Sequence, residues 1–182
     1  CKTICIGCEH ANKKHEAEQG LDEKCPFCRE PIPKTQEEAD QNTMERVKAN
    51  DPLALYNVGK KLFNEGDYEG AVEYMTKAAA FGGIQAHHYL SVMYGEGLGV
   101  EQDVKKKIYH LEEAAIGGHP EARYTLGVEE HRPARIDRSM KHYIIAAKLG
   151  DDRALEQVKE NFRRGYVSKG ELRHFIIAAN LG

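Results

Sequence analysis

The sequence predicts an all-α protein whose larger part is a solenoid of stacked helix-turn-helix units. Three observations carry that prediction. Alanines stand at positions 54, 86, 122 and 154, at spacings of 32, 36 and 32 residues. Paired alanines at 78/79, 114/115, 146/147 and 178/179 keep the same register, as do glycines 82, 118, 150 and 182. Between these markers the apolar residues recur at helical intervals rather than alternating as in strands. Self-similarity at a period of this length is the signature of a repeat array, in which one unit buries too little apolar surface to stand alone.

The chain of 182 residues divides by composition. All five cysteines fall in residues 1–33, residues 34–50 read as a connecting helix, and residues 51–182 hold four units at about 51–82, 83–118, 119–150 and 151–182. Apolar residues make up 41% and charged residues 30%, as in ordinary folded proteins. A net charge of −3 and a pI near 6.3 provide no basic field for nucleic acid. No apolar run reaches the roughly 20 residues of a membrane span. The first residue is Cys1 rather than methionine and lies inside a motif, so the chain reads as a fragment whose targeting signal, if it has one, is upstream. Cysteines confined to one end favour a local metal site in a reducing compartment, cytoplasmic or nuclear, over a disulfide framework.

Cys5-Ile-Gly-Cys8 and Cys25-Pro-Phe-Cys28 are two C-x2-C pairs separated by 16 residues. A tight turn aims two thiolates at one ion, and two such turns complete a tetrahedron, so the pattern points to Zn2+. A redox C-x2-C would open a helix in a βαβ setting, which is absent here. Residues 25–33, CPFCREPIP, closely resemble the last knuckle of a RING finger. That resemblance implies a cross-brace with two structural zinc ions, in which Cys5/Cys8 form the third ligand pair and Cys25/Cys28 the fourth, on different ions. Cys1 is a weak match to the second pair, displaced by one residue and with Lys2 where histidine is expected. A single zinc held by all four knuckle cysteines is the other arrangement. His10 and His15 could substitute as ligands, since neutral imidazole suits zinc, but they lie in a polar stretch and read as exposed. The RING resemblance also implies docking of a ubiquitin-charged conjugating enzyme, with Pro26 on the docking surface and Arg29 at the position that contacts ubiquitin.

The remaining elements follow in order. Thr35-x-x-Glu38 is a capping box opening a polar helix whose thin apolar stripe is Met44 and Val47. In the first helix of each unit, Ala54, Val58 and Leu62 recur as Ala86, Leu90 and Tyr94. In the second, Val72, Met75 and Ala79 recur as Ile108, Leu111 and Ala115, as Met140, Tyr143 and Ala147, and as Leu172, Phe175 and Ala179. The alanine pairs permit close helix approach, and the glycines after them end each helix. Pro52 and Pro120 suit a first helical turn, and Ser168-x-x-Glu171 is a second capping box.

Residues 86–118, AHHYLSVMYGEGLGVEQDVKKKIYHLEEAAIGG, closely resemble a Sel1-like repeat, a relative of the tetratricopeptide repeat. The first unit shortens the glycine loop and drifts toward the tetratricopeptide form. The third replaces that loop with HRPARID, and the fourth is degenerate, either a cap or a step in an array that continues. The resemblance implies a concave scaffold surface that holds other proteins. The aromatic and methionine stripes read as core rather than a cofactor pocket. His87, His88, His110, His119, His131, His142 and His174 read as surface or interhelix residues, and Lys105–Lys107 as a solvated helix face. Nothing resembles a nucleophile with its base, a phosphate loop or a carboxylate pair. Two functions follow: a protein-protein interaction scaffold with a structural zinc segment, or a fragment of a RING-type E3 ubiquitin ligase whose repeats recruit substrate.

Overall fold

The computed structural model describes residues 35–181. The chain divides into two compact units, Cys1–Arg46 and Val47–Gly182. Helix α1 (Gln36–Lys48) follows Thr35, whose hydroxyl oxygen accepts from the Glu38 N–H at 3.2 Å, so the connecting helix starts where its capping box places it.

The repeat unit consists of helices only, among the described residues. They are α2 (Pro52–Glu65), α3 (Tyr68–Ala80), α4 (Ile84–Glu96), α5 (Val104–Ile116), α6 (Pro120–Glu129), α7 (Ile136–Lys148), α8 (Asp152–Arg163) and α9 (Lys169–Leu181), with a 3-10 turn at Pro133–Arg135. Helices pair as hairpins α2/α3, α4/α5 and α6/α7, and each hairpin packs on the next through α3/α4, α5/α6 and α7/α8. Helix α9 makes its main contact with α7.

The alanine register marks the points of closest approach. Ala54, Ala86, Ala122 and Ala154 on the first helices are almost wholly buried, as are Ala78, Ala114 and Ala146, the leading members of the paired alanines on the second helices. The core clusters here also bury large side chains of the second helices: Met75 in the first unit, Leu111 in the second, and Met140, Tyr143 and Ile144 in the third. Each such burial stabilises the fold by about 1.5–3 kcal/mol. The buried arc is wider than the sequence stripe implies. Leu55, Ala71 and Met93 are fully buried, whereas Val58, Leu62, Val72, Tyr94 and Ile108 are only half-buried. Most helices touch both their hairpin partner and a neighbouring unit, so a single i, i+4 stripe understates the contact face.

One backbone arrangement recurs at three junctions. At the end of α3 the Gly82 N–H donates to the Ala79 carbonyl and the Gly83 N–H to the Ala78 carbonyl, at 2.9 and 2.8 Å. Gly118 and His119 repeat this on Ala115 and Ala114, and Gly150 and Asp151 on Ala147 and Ala146. The second residue of each pair, Gly83, His119 or Asp151, is also the N-cap of the following helix.

The glycine loop of the second unit has a spatial reason. Gly99 has φ +68°, and a Cβ there would overlap the Tyr68 carbonyl and the Glu69 nitrogen at the start of α3. The third unit makes the equivalent passage with the 3-10 turn, after which α7 begins at Ile136 without a side-chain cap.

Candidate protein-binding groove

Cys1, Cys5, Cys8, Cys25, Cys28, Pro26 and Arg29 lie outside the described residues, as do His10 and His15. The candidate surface is therefore built from the first helices of the repeats.

At their N-terminal ends a polar ladder links the second, third and fourth units. The imidazole of His88 on α4 stacks on that of His119, with centroids 4.3 Å apart and planes within 17°. His119 caps α6, its Nδ1 accepting from the Ala122 N–H at 3.3 Å. His88 Nε2 also lies 3.8 Å from a Glu121 carboxylate oxygen. That spacing is too long for a hydrogen bond, and burial, with His119 adding to it, pushes the His88 pKa down to about 4. His88 is therefore neutral near pH 7, and its hold on the next unit is stacking rather than an ion pair.

Glu121 turns instead to Arg153 of the fourth unit, whose guanidinium donates to it at 3.3 Å. Arg153 also grips Asp151 with two hydrogen bonds, at 3.2 and 2.7 Å, and lies 4.5 Å from the centroid of the Tyr124 ring. The Asp151 carboxylate in turn accepts from the Ala154 N–H at 3.2 Å. This guanidinium first, and the backbone N–H groups after it, hold the Asp151 pKa below the usual carboxylate range.

A groove runs beside the ladder, lined by His88, Ser91, Val92, Gly95 and Glu96 of α4, Lys107 and Leu111 of α5 and Thr125 of α6. Val92 stands six residues after Ala86 and Val128 six residues after Ala122, so adjacent units present the same side chain at the same step. They are 38% and 47% exposed. The corresponding positions in the outer units are Lys60 and Glu160. Lys107 is tied to Glu129 of α6 at 2.6 Å, so it joins two units instead of belonging to a solvated face. Toward the first unit the face continues as aromatic edge contacts, Tyr56 on Tyr89 at 5.6 Å and Phe63 on Tyr89 at 5.3 Å. Burial beside Tyr89 pushes the Tyr56 phenol up to about 12.

Of the histidines singled out in the sequence, His87, His88, His110 and His119 pair between elements. No motif spacing pointed to these partnerships, because the partners are 23 and 31 residues apart. The signal that was present is the adjacent pair His87-His88, which points two imidazoles in different directions from one helix turn.

The family model for the Sel1 repeat matches residues 52–80, 84–119 and 133–151. The chain carries Sel1 repeats over these stretches. The matched stretches cover both helices of the first two units and the second helix of the third. This Sel1-repeat chain also resembles solved structures. A Sel1 repeat protein from Oxalobacter formigenes aligns with a TM-score of 0.61 and 22% identity, over 67% of this chain and 98% of that one. The protein c5321 is described as a protective antigen of uropathogenic Escherichia coli strains with an SLR fold. It aligns with a TM-score of 0.64 and 24% identity, over 77% of this chain and 32% of its own, so this chain spans about a third of its length. At these identities the likeness establishes the fold. Comparison with curated proteins gives no match. No helix among the described residues is long and apolar enough to cross a membrane.

Proposed function

We propose that the Sel1 repeats act as a scaffold that binds another protein along the face of their first helices. The observation that carries this reading is the register of Val92 and Val128, exposed apolar side chains at one equivalent step of adjacent units beside a lined groove. Apolar side chains presented at a fixed interval suit a partner with matching anchors, since a few buried contacts dominate most interfaces. The test is site-specific photo-crosslinking of the full chain from position 92, from 128, and from 77 on the second-helix α3. The same partner captured from 92 and 128 but not from 77, with Val92→Asp weakening its binding about tenfold or more, about 1.4 kcal/mol, supports the reading. Equal capture from 77, or unchanged affinity in the variant, overturns it.

We further propose that the N-terminal cysteines hold Zn2+, because two C-x2-C pairs supply the soft thiolate donor set that zinc prefers. A protein with a complete RING would pair the scaffold with a ubiquitin-conjugating enzyme through Pro26 and Arg29, the repeats then selecting substrate. Zinc content of the reduced chain, with and without Cys25→Ser, separates the arrangements. One zinc per chain that the variant loses points to a single four-cysteine site. Absence of tightly held zinc removes the metal proposal for this chain.

A further inference from the structure

His87 of α4 and His110 of α5 face each other away from the groove, with their Nδ1 atoms 3.0 Å apart and ring centroids 5.1 Å apart. Two neutral imidazoles at this separation either share one proton or turn two lone pairs toward one ion. Other contacts also hold both rings. His110 stacks on Tyr94 with planes within 6°, and Tyr109 meets both rings edge-on.

The distance discriminates among metals. Bonds of about 2.0–2.1 Å meeting at a right angle place two nitrogens about 2.9 Å apart, whereas a tetrahedral angle places them about 3.3 Å apart. The observed 3.0 Å is both an ordinary N–H···N hydrogen-bond length and close to the right-angle value, so a metal entering here replaces the shared proton with little movement of the rings. We propose that His87 and His110 form a two-histidine site for a late divalent transition ion of tetragonal preference, Cu2+ or Ni2+, bridging α4 and α5.

The charges around the site are mixed: Glu113 favours a cation beside His87, while Lys106 opposes one beside His110. Each neutral imidazole keeps one N–H, so a metal bound through both Nδ1 atoms requires both rings in the Nε2–H tautomer. No group of three His, Cys, Asp or Glu side chains that could hold a metal occurs among the described residues. With two protein ligands, the remaining positions on such an ion would fall to water.

The experiment uses the full-length chain with its five cysteines replaced by serine, so that thiolates do not compete. Ni2+ is titrated calorimetrically into this protein and into His87→Gln, His110→Gln and His174→Gln derivatives. One Ni2+ per chain, with affinity falling about tenfold or more in the first two variants and unchanged in the third, is the expected result. No binding, or equal loss in the His174 variant, overturns the proposal. Should the first two variants lose their helical circular dichroism, paramagnetic broadening in the parent protein decides. Early broadening of the His87 and His110 ring protons upholds the site; broadening elsewhere first, or none, refutes it.

Discussion

The ring of Tyr143 on α7 occupies the space that Gly127 leaves open on α6: a Cβ at 127 would lie 2.6 Å from two of its carbons. The contact is reinforced beside it, where the buried Ser139 hydroxyl donates to the Gly127 carbonyl at 2.7 Å. Gly127→Ala gains about 1 kcal/mol of helix propensity, but the displaced ring costs about 1–3 kcal/mol. A lower urea midpoint is expected. In a Tyr143→Leu background the same change should be neutral or stabilising, and a double-mutant cycle by urea unfolding measures the difference.

Gly99 is constrained twice, by its left-handed backbone and by the passage of α3. Gly99→Ala should cost about 1–2 kcal/mol from the backbone alone, with the overlap on Tyr68 adding to it. Gly66→Ala, also at positive φ but facing open space, supplies the comparison. If both variants melt at the same temperature, close approach contributes nothing at position 99.

Asp151 caps α8 and holds Arg153 against Glu121, and it is only 8% exposed. Removing the cap in Asp151→Ala should cost about 0.5–2 kcal/mol, and Asp151→Asn, which keeps a capping oxygen, should cost less. The carboxylate pKa is depressed in the folded state, so its contribution is complete above the ordinary carboxylate range and fades as pH falls through and below it. Chemical denaturation of both variants at two pH values checks the order and the sign.

Acid sensitivity of the middle units should begin earlier and come from histidine. Burial lowers the pKa values of both His88 and His110 to about 4. An unfolded chain takes up these protons near pH 6.5. Stability is therefore full above about pH 6.5 and declines as pH falls toward 4, because the unfolded state binds more protons in that window. His88→Gln combined with His110→Gln should flatten the fall in urea midpoint between pH 7 and 5. An unchanged slope would show that these imidazoles are not the titrating groups.

Repetition made the scaffold legible. Ala54, Ala86, Ala122 and Ala154 mark one buried step in successive units, and the glycines after the paired alanines mark helix ends, because these roles require small or achiral residues wherever they occur. The candidate surface was not legible in the same way. His88 meets His119, and Arg153 meets Glu121, only because the stacking of units brings together side chains that are 31 and 32 residues apart. Gly127 follows a fainter mark: its counterparts five residues after the marker alanines are Gly59, where a Cβ would lie 3.2 Å from Met75, and the buried Ser91. The capping box at Ser168 did read correctly: its hydroxyl oxygen accepts from the Glu171 N–H while the Glu171 carboxylate accepts from the Ser168 N–H.

The residues that end one helix and cap the next, Gly83, His119 and Asp151, leave no slack between units. One extra residue at any of them would separate the helix-ending hydrogen bond from the N-cap that now share a single residue. The four-residue difference between the second and third units falls inside the hairpin, where α6 has 10 residues against 13 in α4 and the connection to the second helix is one residue shorter. The array thus behaves as a ruler with fixed graduations: its pitch is set in the backbone, and a partner must match that pitch. Diversity of length has a safe outlet only at the hairpin tips, which is where engineered insertions or tags should be placed.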